Sequence, residues 1–314
     1  MNHHLARGIS TLALCYLAAP ALAGDEPSRF IENETISTIV GDFEFTKGFP
    51  TPETSKKLFD IRTTYRVMEV IQQNTFAASL YAMRKGYADF GAPKPNQVLV
   101  WWDRMDAKSE FLTANTDTVY AMTFLDLKAD GPTVVEAPAR MIGFMDDMWM
   151  RYITDIGAAG PDKGKGGKFL ILPPGYEGEV PDGYFVAKSK TYGVWMGLRA
   201  RLDADGGNTE ARELYNKLKI YPLSQADNPP PTELINASGK PMFTVHPENY
   251  HLLEELGALV EEEHPDAVDG AQKFLLASVG MEFGKPFVPS AEQKPLLEKA
   301  ARAGAALLRA NMWD

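Results

Sequence analysis

The sequence predicts an α+β protein: a central antiparallel, β-sandwich-like domain with a long helix before it and a helical region after it. Apolar residues recur at helical spacing early in the chain, and helical periodicity returns after Arg201. Between them lie short runs rich in Val, Ile, Tyr, Phe and Trp, separated by Gly, Pro, Asp and Lys clusters. Because no helices separate these runs, antiparallel pairing is favoured over parallel βαβ units.

The first 23 residues have the pattern of a secretory signal peptide. Arg7 precedes an apolar run too short to stay in a bilayer, and Ala21-Leu22-Ala23 has the small-x-small pattern of a signal peptidase site. We expect cleavage after Ala23 and a periplasmic or secreted protein; an N-terminal hydrophobic anchor is the alternative. Cleavage would remove the single cysteine, Cys15, so the mature chain would have neither disulfide nor thiolate ligand.

The composition predicts a globular protein with a substantial core, because 45% of the 314 residues are hydrophobic. The formal net charge is −10, and an acidic protein repels nucleic acid phosphates and anionic lipids. We therefore expect no nucleic acid partner and no membrane insertion. The partners left open are a small-molecule ligand, a second copy of the chain in a homo-oligomer, and a separate C-terminal domain.

Four segments follow from the patterning: the signal peptide 1–23, a polar N-terminal extension 24–55, a β-rich core domain 56–222 and a helical connector region 223–314. ISTIVGDFEF in the extension indicates one short strand. The core domain opens with a long amphipathic helix, for which Gly86 is the expected stop. The apolar stripe of this helix consists of Leu58, Ile61, Tyr65, Met68 and Ile71.

The rest of the core domain is predicted as strands, and the connector region as helices. TEARELYNKLKIY, at the end of the core domain, has helical spacing, and NPPPTELINASGK is expected to be a loop because consecutive prolines continue neither helix nor sheet. Ser290 and Gln293 have capping-box spacing before the last helix. The predicted strands are QVLVWW, TVYAMTFLDL, PTVVEAP, RMIGFMDDMWMRYITDI, KFLILPP, GYFVAKS and TYGVWMGLRA.

The glycine- and lysine-rich stretch from Gly160 to Tyr176 resembles a phosphate-binding loop but lacks its context. A P-loop has its second glycine five positions after the first, and here Lys165 stands there; Lys168 precedes Phe169 rather than Ser or Thr. A strand-like run follows instead of a helix. We expect a flexible connection between two strands, with an anion at its lysines as the lesser alternative.

Polar residues interrupt two of the predicted strands and form the candidate site. In an extended backbone, Asn115 and Asp117 share one face with Tyr120 opposite. Asp147, Trp149 and Arg151 share another face, with Asp155 following. The opposite, core-like face of that second strand is predicted to hold Phe144, Met148, Met150 and Tyr152. Carboxylate, aromatic and guanidinium groups together suit a sugar or carboxylate ligand. No particular cofactor is indicated, although aspartates beside an asparagine could hold a divalent cation. The structural alternative is that these residues close turns or form an ion pair.

Several of these segments together resemble the bacterial DUF1254 family, a domain of unknown function. The resemblance rests on NTDTVY, MDDMWMRYITDIG, GPDKGKGGKFLILPPGY and PDGYFVAKSKTYGVWMGLRA, and on the helical segment SVGMEFGKPFVPSAEQKPLLEKAARAGAALLRA. It implies export and a β-sandwich-like domain, and it implies no reaction. Family members commonly continue into a second β-rich domain, DUF1214, where this sequence ends at Asp314.

Three functions remain open from the sequence. The first is an exported protein that binds a small polar ligand, such as a sugar, an organic acid or a metal-bound ligand, in a cleft of the β domain. The second is a periplasmic hydrolase or lyase, with Asp117 or Asp147 as general base and Arg151 as charge stabiliser. The third is a non-catalytic structural half of a two-domain protein.

Overall fold

The structure, a computed structural model, describes residues 33–111, 114–311 and 313. The described residues form two compact units, divided between Phe59 and Asp60 within the first long helix. The predicted signal peptide, including Arg7, Cys15 and the cleavage site after Ala23, lies outside the described residues.

The first unit contains a three-stranded antiparallel sheet of β1 (Glu34–Thr38), β2 (Gly41–Thr46) and β3 (Phe49–Pro50). The single strand predicted for ISTIVGDFEF is therefore wrong: Gly41, at φ 110°, follows a turn that folds the segment into a hairpin. Phe43 is buried, and the Glu44 amide donates a 2.8 Å hydrogen bond to the Thr54 hydroxyl.

The second unit carries the β domain and the C-terminal helices, and it is entered through helix α1 (Pro52–Phe90). In chain order its further elements are β4 (Gln97–Val100), β5 (Thr118–Asp126), α2 (Leu127–Asp130), β6 (Thr133–Ala137), β7 (Ile142–Asp147), β8 (Tyr152–Ile156), β9 (Gly167–Leu172), β10 (Phe185–Lys188), β11 (Gly193–Arg201), α3 (Thr209–Tyr215), β12 (Lys219–Pro222), β13 (Glu233–Asn236), α4 (Tyr250–Glu262), α5 (Gly270–Ala277) and α6 (Lys294–Asn311).

Helix α1 is confirmed, but Gly86 does not end it. The helix continues to Phe90, and Gly91 follows with φ 107°. Gly86 instead permits close packing, because a Cβ there would lie 2.1 Å from the Phe243 carbonyl oxygen. At Asn74 the helix is kinked (φ −118°, ψ 16°), and the buried Asn74 side chain donates a 2.8 Å hydrogen bond to the Val70 carbonyl one turn back.

The central domain is a sandwich of two sheets, as predicted. The six-stranded sheet has the order β13-β4-β5-β11-β7-β8, and the four-stranded sheet has the order β10-β9-β6-β12. Pairing is antiparallel except where β13 meets β4 and β10 meets β9. Between the sheets lies an apolar layer that includes Val194, Met196, Leu198, Phe169 and Ile171, all buried.

The other face of the six-stranded sheet meets the helices. Trp101, Met122, Phe124 and Trp195 belong to one apolar cluster with residues of α1, α4, α5 and α6. Successive residues of the central strands therefore alternate between two cores, and this explains why β5 and β11 are almost wholly buried.

Three sequence expectations about strands are wrong. The last three residues of TEARELYNKLKIY, from Lys219 to Tyr221, belong to strand β12 rather than to a helix, and part of the predicted proline-rich loop is strand β13. Both are short strands at the edge of a sheet, where the partner strand rather than local periodicity decides the conformation. RMIGFMDDMWMRYITDI is two strands, β7 and β8, joined by a tight turn.

The C-terminal helices α4, α5 and α6 are confirmed, and so is the capping box before α6. The Ser290 amide donates to Gln293 Oε1 at 2.8 Å, and the Gln293 amide donates to Ser290 Oγ at 3.3 Å. Glu263, just after α4, anchors this helix to the β domain: its buried carboxylate accepts hydrogen bonds from the amides of Tyr192 and Gly193 at 2.5 and 2.9 Å. Burial raises the pKa of Glu263 to about 7.

Candidate functional site

The carboxylate of Asp147 holds the turn between β7 and β8. Its Oδ1 accepts hydrogen bonds from the amides of Trp149 and Arg151 at 2.8 and 3.1 Å, and its Oδ2 accepts from Arg151 Nε at 2.7 Å. Met150, at φ 58°, completes a three-residue loop of the kind that closes hairpins. Asp147 is 3% exposed and both its oxygens are engaged.

Trp149 and Arg151 attach this turn to neighbouring elements. Trp149 Nε1 donates a 3.0 Å hydrogen bond to Asn74 Oδ1, which also accepts from Gln272 Nε2 at 2.8 Å. Arg151 Nη2 donates to the Ala267 carbonyl at 2.5 Å. Asp147, Trp149 and Arg151 therefore do lie together, but their bonds within the protein give them a structural role.

The alternation predicted through this segment fails at the turn. Phe144, Met148, Met150 and Tyr152 were expected on one core-like face, yet Met150 and Tyr152 are 45% and 68% exposed while Met148 is fully buried. Two-residue periodicity applies only while the backbone stays extended, and here β7 ends at Asp147.

Asn115, Asp117 and Tyr120 form a second group at the start of β5. Asn115 Oδ1 accepts hydrogen bonds from the Asp117 amide and from Thr118 Oγ1, both at 3.0 Å, and the Asn115 amide donates to the Tyr120 hydroxyl at 3.2 Å. Asn115 thus shapes the loop that enters β5. The side chain of Asp117 is exposed.

These two groups lie at opposite ends of the sheet. Thr118 pairs with Arg201 of β11, whereas Asp147 pairs with Val194 of the same strand. Seven residues of extended backbone separate the two pairs, or about 23 Å. The structure therefore does not bring Asp117 and Asp147 together, and ligand binding by either group stays a prediction.

Asp155 belongs to a third group. This group lies on the face of the six-stranded sheet that packs against the helices, in a part of that face that the helices do not fully cover. The pairing of β5 with β11 places Tyr120 beside Arg199. The pairing of β7 with β8 places Phe144 beside Asp155, and the pairing of β7 with β11 places Phe144 beside Gly197. Asp146 follows on the same face. We call this group the open sheet face and define it as Tyr120, Phe144, Asp146, Asp155 and Arg199.

The charged groups of the open sheet face are unpaired in the part of the chain that the structure describes. Within the described residues, the side chains of Asp146, Asp155 and Arg199 form no hydrogen bond or ion pair. All three are partly buried. Burial raises the pKa of the Asp146 carboxyl, and the negative charges of Asp147 and Asp155 raise it further. Unpaired, partly desolvated charges are costly unless another molecule pairs with them.

The aromatic ring of Phe144 lies at the centre of this face. A Cβ at Gly197 would lie 2.7 Å from an atom of that ring, so the absence of a side chain at Gly197 makes room for it. The ring packs edge-on against Trp195, with centroids 4.7 Å apart. Phe144 remains partly exposed and presents an apolar surface between the carboxylates and Arg199.

Sequence reasoning missed Phe144, Asp146 and Arg199 as site residues. Alternation assigns Phe144 to the core face, and Arg199 lies in strand β11 between residues that are buried on either side of it. The available signal was Arg199 itself, because a lone charged residue inside a central strand needs a partner.

In the part of the chain that the structure describes, no group of three or more His, Cys, Asp or Glu side chains is arranged to hold a metal ion. The open sheet face has only two aspartates, Asp146 and Asp155. The neighbouring Asp147 does not join them, because its carboxylate is bonded to Arg151 within the β7–β8 hairpin. Among the described residues, no helix is both long and apolar enough to cross a membrane.

Fold and site together define an α+β sandwich protein with a partly open sheet face. Residues 95–222 match the model of the family described as "Protein of unknown function (DUF1254)", so the resemblance predicted from the sequence is confirmed over this segment. The match runs from just before β4 to the end of β12. The domain boundaries 56–222 and 223–314 stay predictions.

One solved structure with a similar fold is the crystal structure of the VPA0106 protein from Vibrio parahaemolyticus. It is 18% identical, with a TM-score of 0.54, and the similarity covers 78% of this chain and 59% of that one. The chain thus spans less than two thirds of the length of this structural relative. No curated protein matches the chain significantly.

We predict that Asp147→Ala lowers the free energy of unfolding by about 2–4 kcal/mol, because two amides and the Arg151 guanidinium lose their acceptor in a buried site. Asp155→Ala serves as the matched control and should change stability by less than about 1 kcal/mol. Urea denaturation followed by tryptophan fluorescence measures both. Equal effects of the two substitutions would contradict the structural role of Asp147.

Proposed function

We propose that the protein binds a small polar ligand on the open sheet face, and that the ligand is a hydroxylated molecule with a carboxylate group. The observation that carries this proposal is the set of three unpaired, partly buried charges around the exposed part of Phe144. Unpaired, partly buried charges lower the stability of the free protein, and a ligand with complementary groups would stabilise it by pairing with them.

Each residue of the open sheet face suits one part of such a ligand. The Arg199 guanidinium can donate two parallel hydrogen bonds to a carboxylate. Asp155 and Asp146 can accept hydrogen bonds from hydroxyl groups, and the Phe144 ring can pack against the apolar face of a sugar or a carbon chain. Tyr120 pairs directly with Arg199 across the strands and limits where its side chain can lie.

The second candidate function is a hydrolase or lyase acting on a ligand at the same face. Asp146 favours it, since a carboxyl with a raised pKa next to a second carboxylate is suited to acid–base chemistry. The predicted bases have less support: both oxygens of Asp147 are engaged in its turn, and Asp117 lies on an exposed loop. Mass spectrometry of a ligand after incubation with the protein separates binding from turnover.

A non-catalytic structural half of a two-domain protein is the third candidate. It is supported by the similarity to 59% of the VPA0106 chain, which leaves the rest of that chain unmatched. On this proposal the isolated chain would bind no small ligand at the open sheet face, so the ligand experiment below also decides between the first candidate and the third.

We also propose export to the periplasm or the medium, supported by the sequence pattern from Arg7 to Ala23. Expression of the full-length gene in a bacterial host should yield a mature protein whose first residue is Gly24. Intact-mass measurement of the purified protein checks this directly. A mature mass that retains residues 1–23 would overturn the proposal.

For the ligand, we predict that a panel of sugars, sugar acids and hydroxy acids contains a compound that raises the melting temperature of the protein by several degrees at concentrations well above its Kd. Arg199→Gln and Asp155→Asn should abolish that shift, because each removes one polar contact from the open sheet face. Differential scanning fluorimetry measures the shift in all variants.

Asp117→Asn is the matched control, since it removes a carboxylate charge from an exposed loop residue that is not part of the open sheet face. It should respond to the ligand as the wild type does. A panel without any stabilising compound, or a full response in Arg199→Gln, would contradict ligand binding at this face.

A further inference from the structure

The glycine- and lysine-rich segment borders two adjoining cavities at one end of the sandwich, of 450 and 430 Å³. Arg140 and Leu214 line both cavities, Lys168 and Lys217 line the first, and Arg201 lines the second. We call the two cavities together the Arg140 groove. They share no residue with the open sheet face.

The first part of the segment, as far as Gly166, lies in the connection between β8 and β9, as expected, and it is folded around the buried carboxylate of Asp162. Asp162 Oδ1 accepts a 2.8 Å hydrogen bond from the Gly157 amide, and Asp162 Oδ2 accepts one of 3.0 Å from the Gly166 amide. Gly166 has φ 72°, and a Cβ there would lie 2.5 Å from the Ala137 carbonyl oxygen. The connection is therefore packed closely against the chain that leads from β6 to β7.

This packing holds Arg140 in an unusual conformation. Its φ is 68°, which costs a residue with a side chain about 1–2 kcal/mol. The Arg140 amide donates a 3.0 Å hydrogen bond to the carbonyl of Gly164, itself at φ 77°. Arg140, whose side chain lines both cavities, therefore has a strained backbone conformation.

The groove has an excess of positive charge in a chain whose net charge is −10. Of the two acidic residues that line it, Glu210 pairs with Arg140 at 2.7 Å, and Glu136 accepts from the Tyr221 hydroxyl at 2.6 Å besides pairing with lysines. Among the described residues, the side chains of Lys217 and Arg201 form no hydrogen bond or ion pair. One unpaired cation therefore lines each cavity.

We propose that the Arg140 groove binds a short dianion of the dicarboxylate type, with one carboxylate in each cavity. Lys217 and Lys168 would pair with one carboxylate and Arg201 with the other. Arg140 would give up its ion pair with Glu210 and would contact both carboxylates of the ligand. Leu214 would contact the carbon chain between them. This second site goes beyond the ligand proposed for the open sheet face.

Isothermal titration calorimetry of the full chain at low ionic strength tests the proposal, with succinate as the probe and with propionate and inorganic phosphate for comparison. Succinate should bind at least about tenfold more tightly than propionate, which offers a single carboxylate. Lys217→Ala should weaken succinate binding about fivefold. Glu210→Gln should strengthen it, because Arg140 then has no competing partner.

Lys165→Ala is the matched control: it removes the same charge as Lys217→Ala, but from a residue of the β8–β9 connection that lines neither cavity. It should leave the affinity for succinate within about twofold of the wild type, since exposed charges are screened by solvent. Equal effects of Lys165→Ala and Lys217→Ala would overturn the proposal, and so would phosphate binding as tight as that of succinate.

Arg199→Gln separates this site from the open sheet face. The substitution should leave succinate binding unchanged. Loss of succinate binding in Arg199→Gln together with its retention in Lys217→Ala would place the dianion on the open sheet face and overturn the groove proposal, while the proposed function would stand.

Discussion

The pairing of β11 with β5 on one side and β7 on the other decides which side chains of the β domain can meet. It places Arg199 beside Tyr120 and Gly197 beside Phe144, and it keeps the Asp147 turn seven residues away from the start of β5 along the same strand. Because a slip of one residue would move every side chain to the opposite face, the two apolar cores fix this register. The open sheet face is thus a consequence of core packing.

Much of the fold could be predicted, because its elements have strong local patterns. The long helix, the strands from β4 to β11 and the C-terminal helices all bury a continuous stripe or face. The errors lie where long-range contacts decide: β12 and β13 form at sheet edges against strands distant in sequence, and Gly86 lies inside α1 to admit the backbone of Phe243. Periodicity carries no information on such partners.

The site was predicted less well, for a related reason. Asp147, Trp149 and Arg151 were recognised as an unusual polar group, and they do contact one another, but the turn that joins β7 and β8 contains no glycine or proline to announce it. Because the strand ends at Asp147, these side chains stabilise the turn. Trp149 also attaches the turn to Asn74. Arg199 and Asp146 can be recognised as neighbours on one face only from the pairing of three strands. The alternation within a single strand does not show which residues of other strands lie beside it.

The open sheet face depends most on the position of Asp146 and Asp155, which lie together, partly buried, on one face of the sheet. Carbon-13 NMR titration of the aspartate carboxyls measures this without any ligand. Asp146 should stay protonated to a higher pH than an exposed aspartate does, and Asp155→Asn should bring its pKa closer to the ordinary value, because a neighbouring negative charge is removed. Asp117→Asn should leave it unchanged. An ordinary pKa for Asp146, insensitive to Asp155→Asn, would contradict the arrangement.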